Sequence, residues 1–281
     1  MFDEVLVCLD GSSLAESILP LARAITAPKG GKLTLLRIVR DPAELSAEAE
    51  EDYLRDCARR YGAGIRFVVS TDPASAIGAE LERTPRSIAA LTTHGRTAWV
   101  EGILGSVALQ VLRESKQPVI LFRPLGERSR PPKKISTVAV ALDATEFSEQ
   151  IVPFAVRAAR SLSARLLLIQ ALPVYPPILP GPDQETVVML ESCYLHRQAA
   201  NIRAAHGIEP QWEVLHGNPS DAICRYLKGM PDTLLAMTTH ARSTVQRAVL
   251  GSVAGYCVRH AGVPLLLYWP RSIIFNKLGS E

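Results

Sequence analysis

Thr92-Thr93-His94-Gly95-Arg96, with nine residues between Gly95 and Gly105-Ser106, is the stretch of the chain best suited to holding an anion. A bound oxyanion needs backbone N–H groups facing it, little side-chain bulk, and a helix N-terminus whose first N–H groups lack intrahelical acceptors. Gly95 and Gly105 allow a close backbone approach and positive φ. Ser106 opens a helical run, Val107–Arg113, whose dipole favours negative charge at its start, and its hydroxyl can donate as well. Arg96 adds a guanidinium. These parts suit the phosphate tail of a nucleotide. The same spacing also fits a plain turn glycine followed by a serine N-cap, and spacing alone does not separate the two.

Two aspartates, Asp10 and Asp143, each close a short apolar run, where a carboxylate can either bind a ligand or organise the following helix through Ser12 or Thr145. His94 and His240 occupy matched loop positions, but neither is accompanied by a Ser or Cys nucleophile with an orienting acid, so loop hydrogen bonding accounts for them. The remaining histidines show no metal-ligand spacing. Five scattered cysteines without a CxxC pair read as free thiols of a reducing compartment. There is no Gly-x4-Gly-Lys-Ser/Thr loop and no Gly-x-Ser-x-Gly elbow, which leaves little to support an enzyme beyond weak ATP hydrolysis.

The elements that position these residues occur twice. An offset of 146 residues aligns Leu91–Ala108 with Met237–Ala254, and also Pro73 with Pro219 and Pro118 with Pro264. Nearer the N-terminus the offset is 133, aligning Val7–Asp10 with Val140–Asp143 and Pro20 with Pro153. The second copy therefore holds 13 extra residues, placed in the Pro-rich stretch 173–183 with a share left for the helix that follows. In the first copy, apolar runs at 5–9, 33–39, 65–69, 88–91 and 119–122 alternate with helical patterns at about 13–26, 45–61, 73–82 and 105–114. Pro20 and Pro153 sit inside their helices and are expected to kink them. The alternation predicts an α/β fold of two Rossmann-like domains, each a five-stranded parallel sheet of order 3-2-1-4-5 with helices on both faces. Ligands of such sheets bind beyond the carboxyl ends of strands one and four, where Asp10 and Thr92–Arg96 lie. The domains span 1–125 and 135–281, joined by a linker at 126–134. The tail, 271–281, carries Ile273, Ile274 and Phe275, which predict that it docks.

Composition limits the partners. Thirty-one basic against 28 acidic residues give a net charge of +3, too little for nucleic acid or a membrane surface. No apolar run reaches the roughly 20 residues that cross a bilayer. With no secretory signal at the start, the expectation is a cytoplasmic protein.

The pattern Thr-x-His-Gly-Arg-x8-Gly-Ser-Val, the strand-one aspartate and the repeat together resemble the universal stress protein family in tandem, over nearly the whole chain. That family's ATP pattern is Gly-x2-Gly-x9-Gly-Ser/Thr. The resemblance implies ATP, with Mg²⁺, held on its adenine side by Asp10 and Val39. Ribose and phosphates would meet Thr92, Gly95, Arg96, Gly105, Ser106 and Val107. Asp143, Thr238, Arg242, Gly251 and Ser252 are the second copy's counterparts. Thr92 stands where the first glycine belongs; in the second copy both Thr238 and Ala241 replace glycine, which makes the first copy the better site. The resemblance also implies pairing of the last strands, Val119–Phe122 and Leu265–Tyr268, into an internal pseudo-dimer, with homodimers and an unidentified protein partner beyond it. A regulatory stress protein that binds ATP is one function; an interaction module without nucleotide is the other.

Overall fold

Short runs of apolar residues build the sheet. The computed structural model describes residues 2–41, 48–84, 86–93, 104–124, 131–174, 184–239 and 250–270. In the first half the strands are β1 (Glu4–Leu9), β2 (Lys32–Val39), β3 (Gly64–Val69), β4 (Ser87–Thr92) and β5 (Val119–Phe122). In the second they are β6 (Thr137–Leu142), β7 (Arg165–Leu172), β8 (Gln211–His216), β9 (Thr233–Thr238) and β10 (Leu265–Tyr268). The central strands β1, β4, β6 and β9 are buried nearly throughout, as strands covered on both faces must be.

All ten strands join one sheet, ordered β3-β2-β1-β4-β5-β10-β9-β6-β7-β8. Each half is parallel in the expected order 3-2-1-4-5. The seam between halves is the antiparallel pair β5–β10, with Leu121 opposite Leu265, Ile120 opposite Leu266 and Val119 opposite Leu267. The last strands thus pair within one chain, and each covers the edge the other would expose.

The helices of the first half are α1 (Ser13–Glu16), α2 (Leu19–Thr26), α3 (Glu48–Tyr61), α4 (Pro73–Arg83) and α5 (Ser106–Glu114). Those of the second are α6 (Glu146–Glu149), α7 (Val152–Leu162), α8 (Gln184–His206), α9 (Pro219–Leu227) and α10 (Ser252–His260). Strand alternation sorts the core into two layers. Val5, Val7 and Leu9 meet α1, α2 and α3, and the same layer continues through Val138, Val140 and Leu142 to α7 and α8. Leu6, Leu36 and Ala89 meet α4 and α5, and their layer runs on through Leu235 and Leu267 to α9 and α10. Both layers cross the seam.

One expectation changes, and another is given its measure. Pro20 and Pro153 do not kink a helix; each sits in the first turn of a new one, α2 or α7, just after the single-turn helix α1 or α6 has ended. Proline has no N–H to donate backwards, so the chain restarts the helix at the one place where that donor is not needed. The extra length of the second copy is also divided. Tyr53 of α3 lies beside Glu16, and Tyr194 of α8 hydrogen-bonds Glu149 at 3.0 Å, so these tyrosines correspond at an offset of 141. Eight of the 13 extra residues therefore precede Tyr194 and five follow it. They include the lengthening of α8 to 23 residues against 14 in α3. Residues 175–183, the linker portion 125–130, Leu45 and the tail 271–281 lie outside the described residues.

Candidate functional site

At the carboxyl end of β1 the chain turns through Asp10-Gly11-Ser12. Asp10 Oδ1 accepts from the Ser12 N–H at 3.0 Å and from its hydroxyl at 2.6 Å, and Ser12 Oγ in turn accepts from Ala15 N at 3.1 Å. The second half repeats the relay. Asp143 Oδ1 holds Thr145 N at 3.1 Å and Oγ1 at 2.5 Å, and Thr145 Oγ1 accepts from Ser148 N at 3.1 Å. Both aspartates thus organise a helix start. Gly11 sits at φ +85, whereas its counterpart Ala144 holds a left-handed φ of +64 despite its Cβ.

β1 and β4 are neighbours, so the chain beyond Leu9 and the chain beyond Thr92 flank one crevice. Thr92 is buried and pairs with Phe122. Thr93 N donates to Phe122 O at 3.2 Å, and Gly105 N donates back to Thr93 O at 2.7 Å, which anchors the start of α5 on the end of β4. In the second half Thr239 N donates to Tyr268 O at 2.9 Å, and Gly251 N reaches the Thr239 hydroxyl at 3.2 Å. Thr238 is half-buried there and pairs with Tyr268.

The starts of α5 and α10 differ from the side-chain-capped helix starts that follow the other strands. Among the described residues, α1, α4, α6 and α9 each follow a strand and are capped by a side chain: Ser12, Asp72, Thr145 and Asn218. α5 and α10 begin at Gly105 and Gly251 with no side-chain cap. The first helical bond of α5 is Leu109 N to Gly105 O at 3.0 Å, so the N–H groups of Ser106, Val107 and Ala108 have no intrahelical acceptor. Ser106 is exposed beside them. α10 repeats this from Ser252, its first bond running from Gly255 N to Gly251 O at 2.7 Å. Both capping glycines are at negative φ, −54 and −52, so positive φ is not what selects glycine here, contrary to the sequence expectation.

Val39 closes β2, buried, and its carbonyl accepts from Ser70 N at 2.9 Å. Gly95, Arg96 and Arg242, together with His94, Trp99, His240 and Ala241, lie outside the described residues. Arg37 is a site neighbour that sequence reasoning passed over. It is buried in β2 directly opposite Leu9, with Nη1 3.5 Å from the Leu9 carbonyl. A guanidinium inside the run KLTLLRIV was the signal, since a buried charge is costly unless something answers it. Its counterpart is the neutral Gln170. Burial pushes the thiol of Cys8, also near the end of β1, up to about 12.

The comparisons agree with this architecture. A solved universal stress protein from Archaeoglobus fulgidus shares the fold with TM-score 0.67 at 20% identity, over 95% of this chain and 98% of its own. A functionally unknown protein from Pseudomonas aeruginosa matches with TM-score 0.66 at 18% identity, over 96% of this chain and 93% of its own. A putative universal stress protein from the same species gives 0.63 at 19%, over 96% and 94%. No curated protein matches the sequence. The model of the universal stress protein family matches residues 1–123 and again residues 134–268. The chain belongs to the universal stress protein family, with two of its units in tandem.

Proposed function

We propose that this tandem universal stress protein is a nucleotide-responsive regulator that binds ATP in the crevice of its first half. The observation that carries the reading is the α5 N-terminus, which offers the N–H groups of Ser106, Val107 and Ala108 without a side-chain cap at the carboxyl end of β4. Three converging N–H donors, the helix dipole and the exposed Ser106 hydroxyl fit a phosphate group. Asp10 and Val39 are assigned to the adenine side. Thr92, Gly95, Arg96, Gly105 and Val107 complete the proposed set. ATP bound there would supply a charge of the opposite sign to the helix start. Mg²⁺ would come with the nucleotide, since no cluster of three or more His, Cys, Asp or Glu is present among the described residues.

The second half, with Asp143, Thr238, Arg242, Gly251 and Ser252, keeps the uncapped helix start but lacks Arg37 and both loop glycines of the pattern. We assign it weaker nucleotide binding. That asymmetry favours a second reading, in which this half serves as an interaction module.

Titration calorimetry with Mg-ATP on the wild type and on Gly105→Val tests the proposal. Because Gly105 is at φ −54, valine is free of positive-φ strain and adds bulk at the start of α5. The expected result is micromolar binding that falls at least ~30-fold in the variant, about 2 kcal/mol. No binding to folded, nucleotide-free wild type would leave the interaction module as the account.

A further inference from the structure

The second half carries a pair of thiols that the first half lacks. Cys224 of α9 and Cys257 of α10 are both buried, with their Sγ atoms 3.9 Å apart. At the offset of 146 the first half has Gly78 and Val111 instead. A Cβ at Gly78 would meet nothing within 4 Å, so α4 and α5 make no side-chain contact of this kind there. A second tie lies beside the sulfurs. The Tyr256 hydroxyl donates to Asp221 Oδ1 at 2.7 Å, where the first half has Gln110 and Ser75. Adjacent residues of α10 thus meet residues one turn apart on α9, and this register keeps the sulfurs facing each other.

We propose that Cys224 and Cys257 are a redox-active dithiol that a peroxide converts to an intramolecular disulfide, tethering α9 to α10. One sulfur attacks a peroxide oxygen and breaks the O–O bond, leaving a sulfenic acid and one water. The second sulfur displaces the sulfenic oxygen, the S–S bond forms, and that oxygen leaves with the remaining thiol proton as a second water. Two thiols and one hydrogen peroxide therefore give one disulfide and two waters. The sulfurs must close from contact at 3.9 Å to ~2.05 Å. Either sulfur can make the first attack, and the 3.9 Å contact places the other to resolve the sulfenic acid.

This proposal is independent of nucleotide binding, and its test needs none. Full-length protein carrying Cys193→Ser, which removes the exposed thiol, is treated with hydrogen peroxide. Remaining thiols are then blocked under denaturing conditions and the peptides mapped by mass spectrometry without reduction. The expected product is the Cys224 peptide joined to the Cys257 peptide and released by dithiothreitol. Tyr256→Phe, which removes the neighbouring tie, is expected to slow its formation severalfold. If both thiols remain free to be blocked in peroxide-treated protein, or are oxidised to unlinked sulfinic acids, the proposal is overturned.

Discussion

At residue scale, the turn after the first strand of each half makes the sharpest comparison. Gly11 and Ala144 occupy matched left-handed positions, and only one of them has a Cβ to resist. Ala144→Gly is therefore expected to stabilise the protein by about 0.5–1 kcal/mol, relieved strain outweighing the added freedom of the unfolded chain. Gly11→Ala is expected to destabilise it by about 1 kcal/mol or more. Denaturant melts of both variants would check this, and a destabilised Ala144→Gly would contradict it. Little of this was legible in the sequence. Asp10-Gly11-Ser12 and Asp143-Ala144-Thr145 align by type, but the left-handed backbone at their centres depends on where β1 and α1 meet. Arg37 was hidden for a similar reason: one charged residue in an apolar strand does not say which way it points.

Among the elements, the amino end of the first half's sheet is held by a clamp. Glu4 of β1 is buried, accepting from the Thr34 hydroxyl of β2 at 2.5 Å and lying 3.5 Å from Arg66 of β3. Arg66 also pairs with Glu80 of α4 at 2.7 Å. Burial works against the Glu4 carboxylate, but the hydrogen bonds from Thr34 and Thr84 and the charges of Lys32 and Arg66 outweigh it and lower its pKa below the ordinary value of 4.5. A carboxyl lowered on folding stabilises the protein above its unfolded value, and that stability is lost as pH falls through the folded value. Glu4→Gln is expected to cost about 2 kcal/mol at neutral pH and to flatten the fall in stability below pH 4.5. Identical pH profiles for variant and wild type would show that the clamp carries no such linkage. Elements were otherwise well predicted: continuous apolar runs marked all five strands of the first half to within a residue or so. The helix breaks before Pro20 and Pro153 were not, because proline in a helical pattern can bend a helix or begin one, and only the packing of α1 and α2 decides.

For the whole molecule, the β5–β10 pair and the two shared core layers make one cooperative body of the two copies. Losing either half would strip Ile120 or Leu266 of its cover and expose an edge strand at the centre of the sheet. Calorimetry is expected to show a single unfolding transition, with Leu266→Asp destabilising both halves together by more than about 3 kcal/mol. Two separated transitions in the wild type would contradict a shared core. The repeat was readable from sequence because Pro118 and Pro264 announce equivalent strands of equal length, whereas the pairing of the last strands was legible only through the family resemblance. The division of the extra residues around Tyr194 was not, since it shows only in the Glu149 contact.

The first turn of α5, in preference to that of α10, is proposed to hold the phosphates of a nucleotide. Hydrogen exchange of the amides of Ser106, Val107 and Ala108, measured with and without Mg-ATP, tests it most directly. The account predicts marked slowing at these three amides and little change at Ser252, Val253 and Ala254. Saturating ATP that leaves the α5 amides unchanged, or protects the α10 turn instead, would contradict it.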